Sequence, residues 1–195
     1  MKEEARGKLT VIHGPMFAGK TTELINKIKE TKEAGYKVLT FKSSLDTRYN
    51  ETKIISHDGE AVDSIPLTYP SELELYMANS YLKNNDDNKY NYELDKIFID
   101  EIHFFDRQIV DKIDKILSLG IDVIVAGLSK DYKNKPFKAT QTLIEKADEV
   151  IPQTAICKIC GAPAEYTYKK SNTSDRIEVG AADIYEARCK EHWSF

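Results

Sequence analysis

The apolar positions of this 195-residue chain alternate between short β-rich runs and longer stretches with helical spacing. Leu9-Thr10-Val11-Ile12 reads as a strand that stops at Gly14-Pro15. A helix-period stretch through Leu24, Ile25 and Ile28 follows and ends at Gly35. Lys37 to Phe41 and Lys96 to Asp100 predict two further strands, each a brief β-branched or aromatic run bounded by polar residues. Helical spacing returns at Leu73, Leu75, Tyr76 and Met77, and again through Ile109, Val110, Ile113, Ile116 and Leu117 up to Gly120. Ile121 to Ala126 is almost wholly apolar, the pattern of a strand buried on both faces. Strands alternating with helices predict an α/β fold in which helices cover both faces of a parallel sheet, in an order the pattern does not reveal. The polar stretch from Lys83 to Asn91 predicts a surface connection. From Pro152 the texture changes to cysteines, prolines and short Tyr/Thr runs, predicting a main domain over 1–151 and a small second unit over 152–195.

Composition narrows the function classes. With 28 Lys+Arg against 32 Asp+Glu the net charge is −4, so no general basic surface is available to grip nucleic acid. Any anionic ligand must be held by a local site. No run approaches the roughly 18 apolar residues that span a bilayer, and Leu9 to Gly19 is interrupted by His13, Gly14 and Pro15. Glu3 and Glu4 spoil the start as a signal peptide. The expectation is a soluble, cytoplasmic protein with no membrane partner. Three cysteines, all after position 156, make no balanced disulfide framework and suit metal or thiol chemistry in a reduced compartment.

Three constellations carry chemistry. Gly14-Pro15-Met16-Phe17-Ala18-Gly19-Lys20-Thr21 fits the phosphate-loop pattern G-x-x-x-x-G-K-[ST] between a predicted strand and a predicted helix. A loop turning into a helix directs several backbone N–H groups at one place, where an anion satisfies them. Lys20 adds a point charge for the outer phosphates, and the Thr21 hydroxyl is a ligand for Mg²⁺. Such sites also use a carboxylate at the end of a neighbouring buried strand, and Asp100 meets that need. Glu101 beside it is the candidate base for taking a proton from an acceptor hydroxyl. The third is Cys157-x-x-Cys160 with Cys189-x-x-His192, two short bites that suit tetrahedral Zn²⁺. A closed four-ligand set is structural, because catalysis needs an open position.

Together these motifs resemble the cytosolic, zinc-containing (type II) thymidine kinases of bacteria, animals and large DNA viruses. The resemblance rests on GPMFAGKTTEL at 14–24, DTRY at 46–49, DEIHFF at 100–105, KPF at 135–137, the two chelating pairs and VGAADIYEARC at 179–189. It implies a P-loop, RecA-like sheet with a small zinc-binding domain that carries a substrate-covering, lasso-like loop. It also implies transfer of the γ-phosphoryl group of ATP to the 5′-hydroxyl of thymidine, with deoxyuridine as a further acceptor, for nucleotide salvage. By resemblance Glu101 is the base, Lys20 and Thr21 serve ATP and Mg²⁺, and Asp100 supports the metal. Asp46 and Arg48 match a charged loop near the phosphates, with Ile102 and His103 assigned to the same region. Met16, Phe104, Leu128, Tyr132 and Thr167 match the thymine pocket, and Phe137 adds a wall. Arg176 to Tyr185, with Val179 and Gly180, matches the loop that closes over the base through backbone groups. Homotetramers and inhibition by thymidine triphosphate are implied in the same way.

Two positions depart from the family pattern: His103, where relatives often carry Gln, and Ser129, where they often carry Asp. Asp-Glu-Ile-His also resembles the D-E-x-H box of helicases, which would make the chain part of a nucleic-acid-dependent ATPase. A chain of 195 residues has no room for the second motor domain such a machine uses. A zinc-ribbon module that only senses nucleotide is a further rival, and it predicts binding without phosphorylation.

Overall fold

A computed structural model describes residues 6–47, 51–84, 90–171, 175–176, 178–180 and 182–194. In chain order the first half contains β1 (Leu9–Gly14), α1 (Lys20–Glu33), β2 (Val38–Ser43), β3 (Lys53–Ile55), β4 (Ala61–Asp63), β5 (Ile65–Leu67), α2 (Glu72–Tyr81), β6 (Leu82–Asn84) and β7 (Tyr90–Tyr92). β8 (Lys96–Asp100) leads into a 3₁₀ turn (Ile102–Phe104), followed by α3 (Gln108–Ser118), β9 (Asp122–Leu128), α4 (Lys138–Lys146) and β10 (Glu149–Pro152). The remainder forms short strands: β11 (Ala155–Ile156), β12 (Pro163–Ala164), β13 (Tyr166–Lys169) and β14 (Tyr185–Arg188).

Among the described residues the central sheet has six strands in the order β10-β1-β9-β8-β2-β5, and every pairing in it is parallel. Both faces are covered, as the apolar runs require. Leu9, Val11, Ile97, Ile99, Val123 and Val125 point to one side, into a core shared with Ile109, Ile113 and Leu117 of α3 and Leu143 of α4. Ile12, Phe98, Ile124 and Ala126 point to the other, against Leu24, Ile25 and Ile28 of α1. Alternate residues of one strand thus feed two cores, the period-two rule with no polar face left over. Each fully buried Ile, Leu or Phe contributes about 1.5–3 kcal/mol, so the sheet is the rigid base of the molecule.

The two edge strands escape the sequence pattern for one reason. β5 contains Pro66 and β10 ends on Pro152, and proline removes a ladder donor, which only an edge tolerates. The expected surface connection over 83–91 is partly replaced by structure. β6 and β7 pair antiparallel through Leu82↔Tyr92 and Asn84↔Tyr90, while 85–89 lie outside the described residues. The tail builds two small antiparallel ribbons, β11 with β12 and β13 with β14. A small apolar cluster of Ala155, Cys157, Ala164 and Ala187 reaches across to Ala18 and so seats the cysteine-bearing tail against the phosphate loop.

Candidate active site

Parallel strands gather their functional groups at their C-terminal ends, where loops lie free of the sheet. Here the ends of β1, β2, β8 and β9 converge. The chain leaves β1 at Gly14, where a Cβ would come within 2.3 Å of the Gln153 carbonyl oxygen, so only glycine lets the loop pass this close to the end of β10. It turns into α1 at Gly19, whose φ of 77° is the left-handed conformation a helix entrance needs here. No side chain caps α1, so its first-turn N–H groups are directed at the loop. The Lys20 ammonium arches back to the Pro15 carbonyl at 2.6 Å.

The end of β8 supplies the acids. Thr21 donates its hydroxyl proton to Asp100 Oδ2 at 3.3 Å, and Asp100 Oδ1 accepts the Glu101 backbone N–H at 2.9 Å. Glu101 has φ 55° and ψ 42°, a left-handed conformation that costs a non-glycine residue about 1–2 kcal/mol. Phe17 in the phosphate loop is similar, with φ 64°. Both strained residues line the same cavity, which is where such strain is usually kept. β2 contributes a buried ion pair, Lys42 Nζ to Asp46 Oδ2 at 3.2 Å, and Lys42 is registered beside Asp100 across the sheet.

The cavity has a volume of about 480 Å³. Its lining includes the polar groups Lys20, Thr21, Asp46, Asp100 and Glu101 and the larger, mostly apolar side chains of Met16, Phe104, Leu128, Tyr132, Phe137, Thr167 and Tyr185. Polar groups hold the walls in place. The Met16 N–H donates to the Thr167 hydroxyl at 3.0 Å. Tyr185 donates to the Glu178 carbonyl at 3.0 Å, and burial pushes its phenol up. At the end of β1, burial and then the Lys20 charge hold His13 below its ordinary range.

Arg176, Val179 and Gly180 also line the cavity, and Arg176 is tied to the segment that follows β9. Arg176 Nε meets the buried Asp131 Oδ2 at 2.7 Å, its Nη2 donates to the Pro136 carbonyl at 2.8 Å, and its guanidinium lies 4.8 Å from the centre of the Phe137 ring. Lys169, whose side chain is 1% exposed, donates to Glu178 Oε2 at 2.9 Å and to the Asp175 carbonyl at 2.8 Å.

Cys157, Cys160, Cys189 and His192 bring one ligand atom each to within 4.8 Å of the others. Cys160 and Cys189 sulfurs are 3.7 Å apart, and His192 Nδ1 lies 3.9 Å from Cys157 Sγ and 3.2 Å from Cys189 Sγ. Two sulfurs on a tetrahedral Zn²⁺ with Zn–S of about 2.3 Å are about 3.8 Å apart, so the donor set fits the ion. Burial works to raise the Cys157 thiol. Backbone amides of Cys189, Cys160 and Ile159 outweigh it and bring the group down to about 6, toward the thiolate a metal needs. Trp193, next to His192, donates its indole N–H to both the Tyr132 and Thr167 carbonyls at 3.2 Å, which links the ligand cluster to the cavity wall.

Residues 7–193 match the family model described as thymidine kinase. This chain belongs to the thymidine kinase family. A thymidine kinase of Bdellovibrio bacteriovorus is 36% identical over 189 residues, covering 96% of this chain and 86% of that protein. One of Pyrobaculum aerophilum is 37% identical over 191 residues, covering 95% and 97%, and one of Thermococcus kodakarensis is 37% identical over 194 residues, covering 95% and 93%. Membership disfavours the helicase reading of Asp-Glu-Ile-His.

Most residues singled out from sequence meet in the one cavity. Gly14 and Pro15 are buried behind its wall, and the Ile102 side chain is fully buried in the α3 core rather than turned toward the phosphate end. Arg48 lies outside the described residues. The cavity also takes in His57 and Asp58, which sequence reading passed over. They sit at the tip of the β3–β4 hairpin, where Ser56 N–H bonds to the Glu60 carbonyl at 2.8 Å and Glu60 is ion-paired with Lys29 of α1 at 3.1 Å. Asp-Gly is a turn signal that could have marked the hairpin tip, but only the tertiary fold brings it into the same cavity lining as the phosphate loop. No helix among the described residues is long and apolar enough to cross a membrane.

Proposed function

We propose that this chain transfers the γ-phosphoryl group of ATP to the 5′-hydroxyl of thymidine, producing thymidine monophosphate and ADP. The observation that supports the reading is that Glu101 lines one cavity together with Lys20 and Thr21 of the phosphate loop and with a set of large apolar side chains that includes Met16, Phe104 and Phe137. Glu101 accepts the proton of the 5′-hydroxyl. That oxygen forms the new bond to the γ-phosphorus as the bond to the β-bridging oxygen breaks, and the displaced electron pair leaves on ADP. Lys20 and the first-turn amides of α1 hold the phosphates in line. Thr21 and Asp100 are the residues that would hold Mg²⁺, which when bound neutralises charge on the phosphates. Asp46, which lines the same cavity, would serve the phosphates, a role proposed for Arg48 from the resemblance alone. Met16, Phe104, Leu128, Tyr132, Phe137 and Thr167 enclose the base, and the 176–185 segment closes over it.

Cys157, Cys160, Cys189 and His192 would hold Zn²⁺, which when bound crosslinks the tail and supplies no chemistry to the transfer. In this reading 1–151 form the ATP-binding domain and 152–195 the zinc-binding one. We further propose a cytoplasmic homotetramer inhibited by thymidine triphosphate, with deoxyuridine as a second acceptor. The test is to incubate pure protein with ATP, Mg²⁺ and each nucleoside in turn. Monophosphate formed from thymidine and deoxyuridine alone supports the reading. Nucleotide binding without monophosphate from any nucleoside contradicts it.

A further inference from the structure

The cavity that is proposed to take a triphosphate is lined by more acid than base. Among the described residues its wall holds six Asp and Glu side chains against three Lys and Arg. Two of those acids are met by buried lysines that do not themselves line it: Glu178 by Lys169 at 2.9 Å and Asp46 by Lys42 at 3.2 Å. Lys42 is the one beside the phosphate loop's acids. Its neighbour Phe41 packs into the α3 core, so strand alternation turns Lys42 to the α1 face, where it is registered beside Asp100. There its side chain is 3% exposed, and its ammonium reaches the Asp46 carboxylate and, at 3.4 Å, the Lys53 carbonyl of β3. The Asp46 N–H donates to the Ser43 carbonyl at 3.1 Å, a turn that carries Asp46 within reach of Lys42. An ammonium taken out of water is costly, and an apolar side chain fills such a place more cheaply. The pair therefore calls for an explanation beyond packing.

We propose that Lys42 is a positioning residue for nucleotide binding: from behind the wall its ammonium holds the Asp46 carboxylate in place and cancels its charge, so that the triphosphate does not meet an uncompensated anion there. The inference rests on the reading that this cavity holds ATP. Charges in a dry wall interact far more strongly than charges in water, so the loss of one partner leaves a repulsion that solvent and salt screen poorly. Thymidine carries no charge, and the same loss leaves its binding almost unaffected.

Equilibrium binding of ATP with Mg²⁺, and of thymidine, to the full chain decides it. Lys42→Met removes the charge at nearly equal length, and we expect Kd for ATP to rise about tenfold or more with Kd for thymidine changed by less than about threefold. Lys42→Gln, which keeps a hydrogen-bond donor but no charge, should weaken ATP to a similar degree. In an Asp46→Asn background Lys42→Met should cost less than about threefold, because the anion it would leave behind is gone. Unchanged ATP affinity in either single variant, equal weakening of ATP and thymidine, or the same loss in the Asp46→Asn background each overturns the proposal. If Lys42→Met does not fold, Lys42→Gln takes its place in both backgrounds, and failure of both to fold assigns the pair to fold stability and overturns it as well. The parent chain separates the two levels. Absence of ATP binding there removes the reading of the cavity itself, whereas equal ATP binding by the parent and by Lys42→Met removes only the role of Lys42.

Discussion

The Met16 N–H and the Thr167 hydroxyl, 151 residues apart in sequence, are joined by a 3.0 Å hydrogen bond that pins the phosphate loop to β13. One residue of this pair belongs to the phosphate-loop motif and the other to β13, and both line the cavity, so the bond joins two distant segments of its wall. Thr167→Val removes the acceptor and leaves a partly buried amide without it, at a cost of about 1 kcal/mol. KM for both ATP and thymidine should rise several-fold, while Thr167→Ser stays close to the parent. Steady-state kinetics with each substrate varied checks this.

Metal removal should be visible from the tail outward. The single tryptophan, Trp193, follows the proposed zinc ligand His192, stacks on Tyr166 with ring centres 4.9 Å apart and bonds to the carbonyls of two cavity residues. Chelation, or Cys157→Ser, should shift Trp193 emission to the red and weaken thymidine binding before ATP binding. Tryptophan fluorescence followed during chelator titration, with binding of each substrate measured in parallel, reads both effects.

The proposed covering of the base would depend on the Arg176–Asp131 charge pair in the cavity lining. Asp131 is 5% exposed and accepts from Arg176 as well as from the backbone N–H groups of Lys133 and Lys135. Arg176→Ala frees the covering segment without touching the acids. KM for thymidine should increase about tenfold, the size expected for one partly buried, charge-assisted contact, with ATP affinity unchanged. Isothermal titration with each ligand separates the two.

Much of this layout was legible in the sequence because local pattern and local chemistry coincide. The runs at 9–12, 96–100 and 121–126 are buried on both faces, so their apolarity declares them. The phosphate loop, the Asp100-Glu101 pair and the two chelating turns are likewise short-range patterns. What stayed hidden depends on contacts between distant segments. Pro66 and Pro152 disguised the two edge strands. His57 and Asp58 reach the cavity only because a hairpin folds over α1, and the lack of room for a side chain at Gly127 comes from the approach of Ile102 and His103, more than 20 residues earlier in the chain. Lys42, an unremarkable lysine inside a strand, proves to be buried against Asp46.

A pH effect on stability follows from Asp148, at the turn into the edge strand β10. Its carboxyl is held below the ordinary range chiefly by the Leu9 N–H at 2.8 Å, with Arg6 adding to that against the opposing effect of burial. A depressed carboxyl contributes stability above its unfolded pKa of about 3.9, and that contribution is lost as pH falls through the lower folded value. The side chain is partly exposed, so the effect is less than about 1 kcal/mol. Denaturant midpoints between pH 7 and pH 3 should fall less steeply for Asp148→Asn than for the parent.

The role of Glu101 is tested most directly by the turnover of Glu101→Gln, measured beside its ATP affinity and zinc content. Loss of the proton acceptor should lower kcat by about 10²-fold or more, with nucleotide binding and metal retained. Turnover equal to that of the parent protein would contradict the assignment of Glu101 as the base.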